Sequence, residues 1–220
     1  MSTTPATLTA RALLLDMDGT LVDSEAVVDR CWRRWAAANG LDGDEVMRIA
    51  HGRQGHLTMA VLLPERPMAE NLADNRRMLA EETADTEGIV QIPGAADLLG
   101  SLAGLPHALV TSADDTLART RMSAAGLPLP PVLVTAELVG AGKPDPEGFR
   151  KGAAELGFDP GSCIAFEDSE AGIQAAHAAG MPVVGVGPRA AAHRPTVHVD
   201  TLEQIRVVAA DDGTLTVLVG

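Results

Sequence analysis

The chain has 220 residues, of which 46% are hydrophobic and 21% charged, and its formal net charge is −13. This length allows one well-packed domain with a smaller one inserted, because domains commonly have roughly 100 to 150 residues. No run in the sequence approaches the roughly 18 continuous apolar residues that a membrane span needs. The negative charge disfavours binding to nucleic acid or to a membrane surface, since both depend on clustered Lys and Arg.

The N-terminal segment and the cysteines favour a cytoplasmic protein. The first eleven residues have neither the basic start nor the apolar stretch of a secretory signal. Cys31 and Cys163 belong to no C-x-x-C pair, and we expect both to be buried thiols. Only Lys143 and Lys151 are lysines among the 17 basic residues. Because arginine is the usual basic residue here, we expect a lysine to have a specific role.

The first predicted element is a short apolar strand, and a long helical segment follows it. Residues 12–15 have the composition of a strand buried on both faces, as in the centre of a parallel sheet. From residue 24 no convincing strand occurs, and the apolar spacing of Val28, Cys31, Trp32 and Trp35 is that of one helix face, with Ser24 as a possible cap. Further helices are predicted over residues 44–50, 54–63 and 68–84.

After this insert, strands and helices alternate. Apolar strands are predicted at 107–110, 163–166 and 182–186, with helices between them at 114–125 and 170–179. A further strand is predicted at 196–199, and Asp212-Gly213 predicts a hairpin near the C-terminus. The pattern predicts an α/β fold: a doubly wound parallel-sheet core formed by residues 1–23 and 88–220, with an inserted α-helical cap domain at 24–87.

Two aspartates follow the first strand. Asp16 and Asp18 are two residues apart, so in extended chain their carboxylates project to the same side, and Gly19 permits the turn that follows. Unless a cation relieves their repulsion, one proton is expected to be held between them. This separates an ionised nucleophile from a protonated general acid.

Polar residues also follow the other predicted strands, at the edge where ligands bind in open α/β sheets. Glu167 and Asp168 would add two more carboxylates, and Mg²⁺ is the leading candidate to neutralise them because it prefers hard oxygen ligands. Thr111-Ser112 would offer hydroxyls and helix N-terminal amides to a phosphate. Lys143, on a loop stiffened by two prolines, would reach both the phosphate and the nucleophile.

These motifs, in this order, resemble those of a known superfamily. Asp16-Met17-Asp18-Gly19-Thr20, Thr111-Ser112, Lys143-Pro144 and Glu167-Asp168-Ser169 resemble the four motifs of the haloacid dehalogenase superfamily. The position of the helical insert resembles subfamily IA, with its Rossmann-like core and α-helical cap. His51-Gly52-Arg53-Gln54 and Ile92-Pro93-Gly94-Ala95 look like bacterial broad-specificity sugar phosphatases and the yeast 2-deoxyglucose-6-phosphate and glycerol phosphate phosphatases.

The resemblance implies roles for individual residues. Asp16 would be the nucleophile and a metal ligand, and Asp18 the acid/base and a metal ligand through its backbone carbonyl. Asp168 would bind the metal, and Glu167 would bind it directly or through water. Thr111 and Lys143 would hold the phosphate. The remaining substrate-binding positions that the resemblance implies are Gly19, Thr20, Ser112, Arg53 and Gln54.

The resulting expectation is a Mg²⁺-dependent phosphatase that hydrolyses a small sugar or polyol phosphate through an aspartyl-phosphate, as a monomer or small homo-oligomer. One alternative is a mutase resembling β-phosphoglucomutase, although Val28 stands where those relatives place a histidine, twelve residues after the nucleophile. Another is a catalytically silent module that binds a phosphorylated metabolite. A dehalogenase is disfavoured, because the members with that chemistry lack the second aspartate, Asp18.

Overall fold

The computed structural model describes residues 6–220, so predictions for residues 1–5 lie outside it. It contains the following strands: β1 Ala6–Ala10, β2 Ala12–Leu15, β3 Val22–Asp23, β4 Val90–Gln91, β5 His107–Val110, β6 Val132–Val134, β7 Cys163–Glu167, β8 Val183–Val186, β9 Val197–Val199, β10 Ile205–Ala209 and β11 Leu215–Val219. The helices are α1 Glu25–Ala38, α2 Gly43–Ala50, α3 Gly55–Leu62, α4 Met68–Ala84, α5 Ala95–Ser101, α6 Asp115–Ala124, α7 Glu147–Leu156, α8 Glu170–Ala178 and α9 Gly187–Ala190.

A parallel sheet of six strands forms the centre of the molecule. Its order is β6-β5-β2-β7-β8-β9, which confirms the predicted doubly wound core. Strand β2 lies between β5 and β7, with Leu15 opposite both Leu109 and Phe166. The carboxyl ends of these three strands therefore meet at one edge of the sheet, beside the point where the strand order reverses.

The sheet is buried on both faces. Along β2, Leu13 and Leu15 belong to one cluster of buried apolar side chains, while Ala12 and Leu14 belong to a second cluster. All four are fully buried, because successive side chains of a strand point to opposite faces and helices cover each face. This explains why the strand is a continuous apolar run.

Helices α1 to α4 form a segment of their own, without a strand between residues 24 and 89. The strands on either side of it, β3 and β4, pair antiparallel, with Val22 opposite Gln91. Within it, Trp32 and Trp35 are buried and stack edge to face at 5.6 Å between ring centroids. Ser24 was expected as a helix cap, but its hydroxyl makes no capping bond and donates to the Asp18 carboxylate at 2.6 Å. The domain division at 24 and 87 stays a prediction.

A second sheet, of three antiparallel strands in the order β1-β11-β10, was only partly predicted. The β10–β11 hairpin turns at the predicted Asp212-Gly213, whereas strand β1 was not predicted. Nor were β6, α5 and α7 predicted. Cys31 and Cys163 are both free and buried, as expected. Within residues 6–220, no helix combines the length and the apolar character that a membrane crossing needs.

Candidate active site

A cleft lies between the carboxyl edge of the central sheet and the helical segment. It holds about 810 Å³ of space not filled by protein atoms, part of which is open to solvent. The residues predicted for the site that line it are Asp16, Asp18, Gly19, Arg53, Thr111 and Ser112. Lys143 and Glu167 are buried next to this cleft, in contact with Asp16 or with each other.

The Lys143 ammonium binds polar groups at the carboxyl ends of three central strands, β2, β5 and β7. Its ammonium contacts the Asp16 carboxylate, donates to Glu167 Oε1 at 2.7 Å and donates to the Val110 carbonyl at 3.1 Å. Burial alone would lower the pKa of Lys143, but the carboxylates of Asp16 and Glu167 raise it above its usual value. The lysine is therefore a permanent buried cation beside Asp16, as its rarity in the sequence suggested.

Three buried acids lie close together here, and two of them contact Lys143. Asp16, Glu167 and Asp168 each offer a carboxylate oxygen, and these oxygens lie within 4.8 Å of one another. Burial and the repulsion of Glu167 raise the pKa of Asp16 well above its usual value, and the same two causes raise the pKa of Asp168 to about 7. A divalent cation fits this donor set, because hard carboxylate oxygens are its preferred ligands and its charge would relieve their repulsion.

The neighbours of Glu167 and Asp168 hold these two side chains in place. Glu167 Oε2 accepts hydrogen bonds from the backbone N–H of Asp168 and of Ser169 and from the Ser169 hydroxyl, at 2.8 to 2.9 Å. Asp168 Oδ2 accepts two bonds from the Arg189 guanidinium, at 2.9 and 3.1 Å. Arg189 was not predicted, and no motif marked it.

Asp18 is held by partners that the sequence did not indicate. Its Oδ1 accepts from the Ser24 hydroxyl at 2.6 Å, and its Oδ2 accepts from Arg121 Nη1 at 2.8 Å. The expected sharing of a proton between Asp16 and Asp18 is thus replaced by separate ion pairs, one with Lys143 and one with Arg121. Both aspartates still line the same cleft.

The predicted phosphate-side residues fall into two groups. Thr111 and Ser112 line the cleft, where Thr111 Oγ1 accepts from the backbone N–H of Ala113 at 3.1 Å and the Ser112 hydroxyl donates to the Gly52 carbonyl at 3.0 Å. Gly19 has φ +85°, and a Cβ there would overlap the Asp168 carboxylate. Thr20 does not line the cleft, because the turn after Gly19 buries its side chain completely.

In the helical segment, Arg53 lines the cleft together with His51. Burial lowers the pKa of His51, and the adjacent Arg189 lowers it further. Gln54 lies at the junction with the core rather than in the cleft lining, since its amide donates to the Ala136 carbonyl at 3.4 Å.

Comparison with known proteins places the fold and the cleft in a family. Residues 10–180 match the family model described as haloacid dehalogenase-like hydrolase, so the chain belongs to this hydrolase family, as its motifs predicted. Hexitol phosphatase A of Escherichia coli (strain K12) is 40% identical over 210 residues, which cover 92% of this chain and 96% of that protein. Glycerol-1-phosphate phosphohydrolase 1 of Saccharomyces cerevisiae is 31% identical over 197 residues, covering 84% of this chain and 78% of the relative.

A solved structure supports the same assignment. CbbY from Rhodobacter sphaeroides, crystallised in complex with phosphate, superposes with a TM-score of 0.72 at 25% identity, covering 88% of this chain and 95% of that chain. The family and these relatives identify the chain as an enzyme of the phosphoric monoester hydrolase class.

Proposed function

We propose that the protein is a Mg²⁺-dependent phosphatase that hydrolyses a small sugar or polyol phosphate through an aspartyl-phosphate on Asp16. The observation that carries this proposal is the buried group of Asp16, Lys143, Glu167 and Asp168, which meets the cleft at the ends of β2 and β7. Phosphoryl transfer to a carboxylate requires a carboxylate that attacks phosphorus and positive charge that stabilises the phosphoryl group. This group of residues supplies both.

In the proposed reaction, the Asp16 carboxylate attacks phosphorus, and the bond from phosphorus to the alcohol oxygen breaks. Asp18, which must be protonated once it has left Arg121, gives its proton to the departing alcohol. Water then attacks the phosphorus of the aspartyl-phosphate and loses its proton to Asp18, which frees Asp16 and phosphate. Lys143, Thr111 and Ser112 would hold the phosphoryl oxygens throughout. Because Ser24 and Arg121 hold Asp18 in the structure, we expect its side chain to rotate when substrate binds.

The donor set for Mg²⁺ consists of Asp16, Asp168 and the Asp18 backbone carbonyl. Among the described residues, Asp16 Oδ2 and Asp168 Oδ1 make no hydrogen bond, whereas both oxygens of Glu167 have partners. This difference supports direct binding by the two aspartates and binding through water by Glu167. When bound, the ion would offset the buried negative charge and polarise the phosphate.

The proposed substrate class follows from the relatives and from the cleft. Two relatives are named hexitol phosphatase A and glycerol-1-phosphate phosphohydrolase 1. The cleft is closed on one side by α1 and α4, and this supports a cap domain at 24–87 that encloses a small leaving group. The two free, buried cysteines fit a reducing compartment, and we propose a cytoplasmic enzyme. Val28 lines the cleft where mutases that resemble this chain carry a histidine, so hydrolysis is favoured over mutase chemistry.

The test is phosphate release from a panel of sugar and polyol phosphates, measured with Mg²⁺, with EDTA, and with the Asp16→Asn variant. We expect release that requires Mg²⁺ and is lost in Asp16→Asn, while Asp211→Asn, an exposed control, keeps full activity. Release that persists in Asp16→Asn would refute the aspartyl-phosphate. Isomerised sugar phosphate without released phosphate would identify a mutase, and binding without any turnover would identify a silent module.

A further inference from the structure

An ion pair that the proposed chemistry does not use lies inside the cleft. Glu82, on α4 of the helical segment, and Arg121, on α6 of the core, both line it, and Arg121 Nη2 donates to Glu82 Oε2 at 2.6 Å. The two residues are 5% and 3% exposed. Glu82 is thus a buried carboxylate in the cleft that takes no part in holding the phosphate or the metal.

The surroundings of Glu82 make its burial costly. Apolar side chains line the same part of the molecule, namely those of Trp32, Met78, Leu79 and Leu117. Burial raises the pKa of Glu82, and Arg121 offsets only part of this effect. Replacing a buried ion pair by apolar residues is often neutral or stabilising, so stability alone does not account for such a pair.

The other buried acid of α4, Asp74, differs from Glu82 in its partners. Asp74 has its carboxylate occupied by the Trp35 indole N–H, by Arg66 and by Arg77, and it does not line the cleft. Glu82 has one partner, Arg121, on Oε2. Among the described residues no group bonds Glu82 Oε1, and this atom is not fully enclosed. Glu82 therefore keeps an acceptor available to a ligand.

Arg121 fixes where this acceptor lies. Its Nη1 binds Asp18, the proposed acid/base, and its Nη2 binds Glu82, so one guanidinium group separates the two carboxylates. The Nε of Arg121 is buried without a partner among the described residues, so the guanidinium is not saturated by the protein. Because Asp18 and Glu82 line the same cleft, a group bound at Glu82 would lie near the alcohol oxygen that Asp18 protonates after its rotation.

We infer that Glu82 accepts a hydrogen bond from a hydroxyl of the leaving alcohol near the phosphorylated carbon, with Arg121 as the residue that positions Glu82. This inference rests on the proposed function and deepens it. A buried carboxylate acceptor selects a hydroxylated, uncharged leaving group, because an alkyl group would leave the acceptor unpaired and an anionic group would be repelled. Glu82 is then a specificity-determining residue.

The experiment removes the carboxylate from the enzyme and the hydroxyls from the substrate. Glycerol 3-phosphate is paired with propyl phosphate, and sorbitol 6-phosphate with hexyl phosphate, and kcat/KM is measured for wild type, Glu82→Met and Glu82→Gln. In Glu82→Met we expect kcat/KM to fall about 30-fold for at least one hydroxylated substrate and by less than about threefold for its alkyl partner. In Glu82→Gln, which keeps the shape of the side chain, kcat/KM for the same hydroxylated substrate should fall about tenfold. The fall for its alkyl partner should again be less than about threefold.

The control is Glu81→Gln, on the same helix, where the carboxylate is exposed and pairs with Arg34; it should leave both members of each pair unchanged. Equal losses on hydroxylated and alkyl substrates would show that Glu82 only supports the structure and would overturn the inference. So would a wild type without preference within either pair. A wild type that released phosphate from no compound of the sugar and polyol phosphate panel would refute the proposed function, and this inference would fall with it; that outcome is distinct from the two above.

Discussion

At the scale of single residues, burial distinguishes the role of Lys143 from that of an ordinary surface lysine. It is 5% exposed and contacts two carboxylates and a backbone carbonyl, whereas the second lysine of the chain, Lys151, pairs with Glu155 on the surface. Truncating one member of a buried ion pair leaves an uncompensated charge, while an exposed pair contributes little. The two lysines thus form a matched pair for mutation.

We expect Lys143→Met to lower the free energy of unfolding by about 3 kcal/mol at neutral pH in EDTA, because Asp16 and Glu167 lose their shared cation. Phosphate release should fall below detection. Lys151→Met should change stability by less than about 0.5 kcal/mol and leave activity intact. Urea unfolding followed by circular dichroism measures the first effect. Equal small effects in both variants would show that the buried cation does not stabilise the site.

At the scale of elements, the start of helix α8 holds the carboxylate of Glu167, the last residue of β7. Ser169 caps the helix by accepting from the Gly172 N–H at 3.1 Å and also donates to Glu167. A Cβ on Gly172 would overlap the Glu167 carboxylate. Glycine at this position is therefore a requirement of close packing, in the first turn of a helix where alanine would otherwise be preferred.

Gly172→Ala should therefore destabilise the protein and reduce phosphate release at least about tenfold, since Glu167 must move. The matched control is Gly100→Ala in α5, where a Cβ meets nothing within 4 Å. That change should stabilise the protein by about 0.5 to 1 kcal/mol, the usual gain from glycine to alanine in a helix, without loss of activity. Thermal unfolding and phosphate release of both variants test the pair. Unchanged activity in Gly172→Ala would mean that the position of Glu167 is not critical.

At the scale of the whole molecule, a chain of net charge −13 brings three buried carboxylates together at one edge of its sheet. Lys143 and Arg189 supply the nearest positive charges, and both belong to the core. A ligand that binds only the folded state stabilises it, and a cation at this edge would also relieve repulsion between the carboxylates.

Adding Mg²⁺ to the metal-free protein should therefore raise its Tm, by about 2 to 4 °C for each kcal/mol by which the bound ion stabilises the folded state of a chain of this size. The rise should disappear in Asp168→Asn and persist in the exposed control Asp211→Asn. Differential scanning fluorimetry with increasing Mg²⁺ measures it. A rise of the same size in Asp168→Asn would place the ion elsewhere.

The sequence by itself determined five of the six central strands, all but β6, and the residues that meet at the sheet edge. A four-residue apolar run such as Ala12–Leu15 can be recognised as a central strand, because a strand covered on both faces must be apolar throughout. Parallel strands bring their carboxyl ends to one edge, so Asp16 and Asp168 were expected to be neighbours before any packing was known. The motifs then indicated the family, which the comparisons confirmed.

Tertiary structure alone decided the partners of these residues. Arg121 lies 103 residues from Asp18 and joins it to Glu82 on another helix, and strand β1 forms only because β11 lies beside it. Such contacts depend on how distant segments of the chain pack, and the local sequence pattern around each residue does not indicate that packing. The acids of the site could thus be predicted from the periodicity and order of the chain, but the cations that hold Asp18, Glu82 and Asp168 became visible only once the chain was folded.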